Sequence, residues 1–276
     1  MKVSIVTISF NQAHFLEEAI RSVVEQDYPD IEYIVVDPGS TDGSRDIIEK
    51  YRDKITHVIL EPDKGPADGL NKGFARATGE VLAYLNADDV LLPGAVSRMV
   101  RVFTEMPESD VICGHGIVLD STGRPLYKEF SYKFTLRGFL AGCSTVLQQA
   151  TFFRASAFRL ASGFNIENST CWDSELLVDM VLHGAKVYLL NEFIGGFRLH
   201  DGSITGSGRL VKKYLQDIRR IKEKVIVQTG LKEPEELDRL LCYLQHRLDN
   251  PKGLMLRVLD EIVSRKERRM WKRAKW

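Results

Sequence analysis

Two adjacent carboxylates, Asp88 and Asp89, end the apolar run Gly79-Glu-Val-Leu-Ala-Tyr-Leu85, and Pro93-Gly94 closes the turn behind them. Side by side at the end of a buried segment, such groups repel one another and lose hydration. A divalent cation or a set of sugar hydroxyls would offset that cost. An Asp pair at a strand end can also form a turn and cap the next helix. Three other stretches carry related chemistry: Asp37 in Val35-Val-Asp-Pro-Gly-Ser-Thr-Asp-Gly43, Asp173 and Glu175 in Trp172-Asp-Ser-Glu-Leu176, and Arg198 and His200 in Arg198-Leu-His-Asp-Gly-Ser-Ile204. A carboxylate can take the proton of an attacking hydroxyl. In the first turn of a helix it can also simply complement the macrodipole, worth about 0.3–1 kcal/mol. Arg198 could face phosphates or pair with a carboxylate, and a lone His is more often structural than a ligand.

The elements that must position these residues can be read from hydrophobic period and punctuation. Strands are expected at 3–9, 31–36, 55–60 and 81–85, with helices at 15–24, 44–51 and 67–77 between them. Ser40 or Thr41 is the expected cap of the second helix. Strand alternating with helix predicts an α/β fold, a mostly parallel sheet with helices on both faces. Ligands of such sheets bind beyond the carboxyl ends of the strands, where Asp37 and the Asp88-Asp89 pair both fall. Further on, residues 143–153 read as an antiparallel strand returning to the sheet. Residues 169–183 read as a helix capped by Ser169 or Thr170, and 186–190 as a strand with a short continuation. Gly202-Ser203 and Gly206-Ser-Gly208 suit a mobile lid. Helices at 210–229, 233–248 and 254–275 form a C-terminal extension.

Composition bounds the possibilities. The chain has 276 residues, 44% hydrophobic and 28% charged, as in ordinary globular proteins. Its 38 basic and 38 acidic residues cancel, but residues 209–276 hold 19 of the Lys and Arg against 10 of the Asp and Glu, leaving an acidic body and a basic tail. No apolar run is long enough to span a bilayer, and the immediate first strand leaves no room for a signal peptide. Four widely spaced cysteines, Cys113, Cys143, Cys171 and Cys242, suit a reducing compartment and not a zinc site. The loop Ser9-Phe-Asn-Gln-Ala-His-Phe15 has no glycine, which excludes a dinucleotide-binding first turn. There is no phosphate-binding lysine loop either, and a nucleotidyltransferase would need a Gly-rich basic loop at that position.

Six stretches in order, 3–11, 35–43, Glu61-Pro-Asp-Lys-Gly65, Leu70-Asn-Lys-Gly73, Ala77-Thr-Gly-Glu80 and Leu85-Asn-Ala-Asp-Asp89, resemble family 2 glycosyltransferases of the GT-A fold. Gln149-Ala-Thr-Phe-Phe153, Gly163-Phe-Asn165, 172–176 and 198–204 match the family's acceptor half, so the resemblance covers about 3–205. It implies that Asp37 accepts from the base of a donor nucleotide, that Ser9 and Asn11 line the base pocket, and that Asp63 completes it. Asp88 would contact ribose or metal, and Asp89 would hold a divalent ion, Mn or Mg, against the diphosphate with help from His200. Asp173 matches the general base and Glu175 the second acidic position, with Trp172 and Arg198 beside them. Asn86 and Leu70 stand where the family often has Asp and Arg.

One base and one metal imply a single in-line displacement with inversion. The expected organisation is a nucleotide-sugar half, 1–115, an acceptor half, 116–208, and a basic helical extension, 209–276. The expected partners are a UDP-sugar donor and a glycan or lipid-linked acceptor in surface polysaccharide or glycolipid assembly. A non-catalytic nucleotide- or glycan-binding module is the alternative. The end of the chain, 265–276, carries seven basic residues, one acid and two tryptophans. That pattern suits either a solvated tail or an anionic membrane surface, and nothing reads as a nucleic-acid site. The expected location is the cytoplasm, peripheral on the inner face of a membrane.

Overall fold

In the computed structural model of the chain, which describes residues 1–203, 210–248 and 250–261, the first apolar run forms β1 (Val3–Ile8). It lies between β2 (Ile31–Val36) and β4 (Val81–Asn86), parallel to both, and β3 (His57–Ile59) adds to β2. β1, β2 and β4 are buried on both faces, which is why they read as unbroken apolar runs. On one face Val6, Ile34 and Val36 pack under α3 (Pro66–Phe74). On the other, Ile5, Tyr33 and Val35 pack under α1 (Ala13–Val24) and α4 (Ala95–Glu105). Gly73 lets α3 approach β1, since a side chain there would collide with Val6. The third strand is shorter than expected because Ile55 is held in a 3-10 turn, its N–H bonded to the carbonyl of Arg52. The helix α2 (Ser44–Lys50) is entered through Gly43 in the left-handed region. Neither Ser40 nor Thr41 caps it; Asp42 accepts from the Ser44 N–H at 3.1 Å.

The sheet then changes direction. β8 (Thr151–Arg154) runs antiparallel between β4 and β6 (Val111–Leu119), while residues 143–147 ahead of it are not strand. β9 (Val187–Arg198) is parallel to β6 and much longer than its apolar start suggests, because Gly195 and Gly196 carry it onward. A side chain at Gly195 would meet the carbonyl of Gln149 at 2.5 Å. This end of β9 pairs with the short β5 (Val90–Leu91), Val90 opposite Gly196, and β7 (Pro125–Glu129) completes a sheet of nine strands among the described residues. The expected boundary at 115/116 falls inside β6, so the two halves share one sheet.

Three helices cover the later strands: α5 (Leu136–Ala141), α6 (Ala155–Leu160) and α7 (Trp172–Leu182). The start of α7 is secured by Asn168, whose side-chain oxygen Oδ1 accepts from the N–H groups of Thr170 and Cys171, and not by a Ser169 or Thr170 cap. The extension follows as α8 (Val211–Thr229), α9 (Glu236–Leu248) and a helix over 251–261. Residues 204–209 and 262–276, with the expected lid glycines Gly206 and Gly208 and the basic end, lie outside the described residues. No helix among the described residues is long and apolar enough to cross a membrane.

α8 is fastened to the body by Ile221 and Val225, both fully buried, and by a charge cluster around Glu175. Arg220 grips Glu175 with two short hydrogen bonds of 2.6 and 2.7 Å, and Lys224 bridges it to Asp179. Burial alone would raise the Glu175 carboxyl, but bonds from Arg220, Lys224, Asn168 and Asn165 outweigh that and hold it at about 2. Its folded value is depressed, so its stabilisation is complete above the ordinary value of 4.5 and fades as pH falls toward about 2. Removing one partner of a buried pair costs about 3–5 kcal/mol. Arg220 is 40% exposed and Lys224 stays, so Arg220→Ala is expected below that range, at about 1–2 kcal/mol. Denaturant melts at pH 7 and pH 3 should show that loss at pH 7 and a clearly smaller one at pH 3.

Candidate active site

Beyond the carboxyl ends of β1, β2 and β4 lies a cleft of about 620 Å³. Ser9, Pro38 and Asp63 line one side, Asp88 and Asp89 the floor, and Trp172 and Asp173 the far side. Asp37 sits at the end of β2, fully buried. One of its oxygens accepts from the N–H groups of Gly39 (3.1 Å) and Ser40 (2.8 Å) and from Arg45 Nε (3.2 Å). The other oxygen has no partner in the protein, nor has the hydroxyl of Ser9, which is 3% exposed. Buried polar atoms left unpaired cost about 1–3 kcal/mol each; Ser9 lines the cleft and can bond a ligand there, whereas Asp37 itself lies outside the lining, which its neighbour Pro38 reaches. Asp63 takes the Gly65 N–H at 2.9 Å, and burial raises its carboxyl. Gly69 of α3 makes room for it, since a side chain there would come within 2.7 Å of its Oδ2.

Asn11 is placed differently from expectation. It is exposed, at a left-handed φ of 52°, and outside the cleft lining. Its side-chain oxygen accepts from the Thr41 N–H at 2.9 Å, and its own N–H donates to Ser40 Oγ at 2.8 Å. Asn11 therefore stitches the first loop to the second.

The Asp88-Asp89 pair is split in role by its surroundings. Asp89 is 2% exposed and accepts the backbone N–H of Arg198 at 3.0 Å. Burial, then the neighbouring Asp88, pushes its carboxyl well above the usual range, and Arg198 only partly opposes them. Asp88 is part-exposed, and its Oδ2 lies 3.0 Å from Nε2 of His200. Arg198 itself is buried under the turn. Its Nε donates to the Asp88 carbonyl (2.8 Å), one terminal nitrogen to the Asp120 carbonyl (3.3 Å) and the other to Glu18 (2.6 Å), and its plane lies over Phe15. Arg198 is thus a strap holding the turn from below, clear of the cleft lining.

At the far side, Asp173 occupies the first turn of α7 beside Trp172, and burial raises its carboxyl above the usual value. Glu175 is 1% exposed, points away from the cleft and is consumed by the α8 cluster. The cleft also contains residues that the sequence reading passed over. Gln148 donates to the Tyr84 carbonyl at 2.6 Å and faces Asn86, whose side-chain oxygen has no partner. Phe10, 60% exposed, stands at the mouth. An exposed aromatic directly after a buried strand was the available signal.

Whether these groups suit a divalent cation can be judged from the donor set. Asp88 and His200 meet, one oxygen of Asp89 accepts the Arg198 N–H, and no group of three or more His, Cys, Asp or Glu arranged for a metal exists among the described residues. One carboxylate and one imidazole fit an ion that completes its shell with substrate phosphate and water, as Mg²⁺ commonly does.

Residues 4–162, more than half the chain, match the model of glycosyl transferase family 2, and the chain belongs to that family. It is 42% identical over 141 residues to the uncharacterized glycosyltransferase alr2836 of Nostoc, covering 47% of this chain and 44% of that one, so it spans less than half that relative's length. It is 28% identical over 214 residues to TuaG of Bacillus subtilis, a putative teichuronic acid biosynthesis glycosyltransferase, covering 74% of this chain and 82% of that one. Among solved structures, S. aureus TarS with UDP-GlcNAc superposes with a TM-score of 0.67 at 21% identity over 94% of this chain and 76% of its own. The mannosyltransferase PcManGT of Pyrobaculum calidifontis, with GDP-Man and Mn²⁺, gives 0.59 at 17% over 98% and 82%. These likenesses establish the fold: a curled, mostly parallel GT-A-type sheet with helices around it.

The floor of the cleft makes its own prediction. Asp89→Asn keeps an oxygen for the Arg198 N–H and removes a buried charge, so its melting temperature in chelator at pH 7 should equal or exceed the wild type's. Asp89→Ala leaves that N–H unpaired and should lose about 1–3 kcal/mol. Equal destabilisation by both variants would refute the account of Asp89 as a disfavoured buried anion.

Proposed function

We propose that the protein moves a sugar from a nucleotide diphosphate sugar, a UDP-sugar, to the hydroxyl of a glycan or lipid-linked acceptor, with inversion at the anomeric carbon. The observation that carries this reading is one cleft lined on one side by Ser9, with its unpaired buried hydroxyl, and by Pro38, next in the chain to the buried Asp37 with its own unpaired oxygen, and on the opposite side by the half-buried carboxylate of Asp173. The family membership and the donors named with TarS and PcManGT support the donor class. The name of TuaG supports a product that is a cell-surface polysaccharide.

In this mechanism Asp37 and Ser9 hold the base and Asp63 closes its pocket. Asp88 and His200 would hold a divalent cation, which when bound offsets the charge of the diphosphate. The acceptor oxygen attacks the anomeric carbon from the Asp173 side as the bond to the diphosphate oxygen breaks. The electron pair leaves with the nucleoside diphosphate, and the acceptor proton passes to Asp173. Burial suits Asp173 to this task, since a raised carboxyl is the better base. The basic end, 265–276, would rest on an anionic membrane at its inner face, each Lys or Arg there contributing about 1 kcal/mol.

Asp173→Asn retains the shape but cannot take a proton. Transfer should fall by about 10²–10⁴-fold, while UDP-sugar affinity by calorimetry stays near wild type. Asp88→Asn should show the reverse, weakening the Mn²⁺-dependent part of nucleotide affinity. The wild-type rate needs Asp173 ionised, so it should rise with pH through an acidic limb lying above the ordinary Asp value of about 3.9. Normal transfer by Asp173→Asn would sink the assignment.

A further inference from the structure

Asp217, in the first half of α8, is a carboxylate 2% exposed and outside the cleft lining. Burying such a group is costly unless charge and hydrogen bonds compensate it. Part of the compensation comes from its own helix, with Lys213 at 3.2 Å and Arg220 at 3.8 Å from Oδ1. The rest comes from far along the chain. Thr170, 47 residues earlier, donates its hydroxyl to Oδ2 of Asp217 at 2.7 Å.

Thr170 stands where small shifts matter. It lines the cleft, and it lies just before the first turn of α7, which carries Asp173. The backbone of this entry is held by Asn168, whose Oδ1 accepts from the Thr170 and Cys171 N–H groups. Asn168 in turn donates to Glu175 at 2.8 Å, and Arg220 grips Glu175 from α8. The Thr170 side chain is fixed separately, by Asp217. Because Thr is branched at Cβ, tying its hydroxyl to one acceptor selects one of few χ1 rotamers. Anchoring α8 does not need this bond, since Ile221 and Val225 are fully buried and Lys224 holds Asp179. A buried carboxylate is an expensive extra anchor. A hydrogen bond to an ionised acceptor is, however, shorter and stronger than a neutral one, which suits it to fixing a position.

Resting on the transferase reading above, in which Asp173 takes the acceptor proton, we infer that Asp217 is a positioning residue for that base, acting through Thr170. Asp217 and Arg220 are an i, i+3 pair and so share one face of α8. Asp217 holds Thr170, ahead of the base in the chain, and Arg220 holds Glu175, behind it. One helix face therefore brackets Asp173 from both sides. Misplacing a reacting group by about 1 Å can cost about 10²-fold in rate. The C-terminal extension thus contributes to turnover without touching the substrate.

The test uses the full chain with Mn²⁺ and whichever of UDP-glucose, UDP-galactose and UDP-N-acetylglucosamine the wild type hydrolyses, water being the acceptor whose proton Asp173 takes. Asp217→Ala should lower kcat about tenfold or more and leave KM for the donor within about threefold. Asp217→Asn keeps an oxygen for the Thr170 hydroxyl and should bring kcat back to within about threefold of wild type. Thr170→Val, similar in shape but without the hydroxyl, should match Asp217→Ala, and the double variant should lose no more than either single one. Hydrogen exchange read by mass spectrometry needs no turnover: Asp217→Ala should loosen the amides of 168–173 while those of 221–229 stay protected. Four results would overturn the inference: wild-type kcat in Asp217→Ala, an Asn variant as slow as the Ala variant, additive losses in the double variant, or exchange rising along all of α8, the mark of a structural anchor. If Asp217→Ala does not fold, Thr170→Val and Asp217→Asn decide, and for a donor that binds without being hydrolysed the exchange pattern decides. Wild-type protein that binds no nucleotide-sugar at all would instead remove the transferase reading on which the inference rests.

Discussion

Everything at the floor of the cleft depends on one buried cation. Arg198 is 1% exposed, and burying a guanidinium is costly unless every donor finds an acceptor and the charge finds a partner. Here it meets the carbonyls of Asp88 and Asp120, the carboxylate of Glu18 and the ring of Phe15, while its own N–H goes to Asp89. In this way the last residue of β9 fixes the turn after β4, the first helix and the loop after β6 relative to each other. The β5–β9 pairing brings it there, and that pairing needs Gly195 because Gln149 presses against the strand, and Gly196 because the side chains of Val90 and Leu119 do.

That constraint explains why two adjacent carboxylates behave differently. Asp89 reaches the floor of the cleft but is almost fully buried and disfavoured as an anion, with one oxygen tied to a backbone N–H of the strap. Asp88 faces the cleft and meets His200, which the same strand end delivers two residues after Arg198. Like charges in contact are tolerable when one is turned into structure and the other toward a ligand.

A second constraint operates at the opposite wall. Glu175 stands near the base in sequence but is closed off by Arg220, Lys224, Asn165 and Asn168. Its work is to seat α8 against α7. The first turn of α7 therefore carries one carboxylate for the cleft and one for the extension. The same seating places Tyr214 and Ile218 beside Asp173, joining the extension to the chemistry.

The amino-acid sequence by itself determined the parallel strands, the helices between them, the acidic loops at the carboxyl edge, and the candidacy of Asp37, Asp88 and Asp173. Those features are local: an apolar run of strand length, a turn rich in Gly, Pro and Asp, and a charge at a helix start declare themselves within a few residues. Only the tertiary structure decided that Arg198 is a strap, that Glu175 is a clasp, that Asn11 stitches two loops, and that β9 runs on through its glycines. Each of those depends on partners far away in the chain, Arg198 on Asp89 across 109 residues and Glu175 on Arg220 across 45. A charged or amide side chain looks the same in sequence whether it faces a substrate or a distant backbone, and its role is set by which groups the completed sheet and helices bring to it.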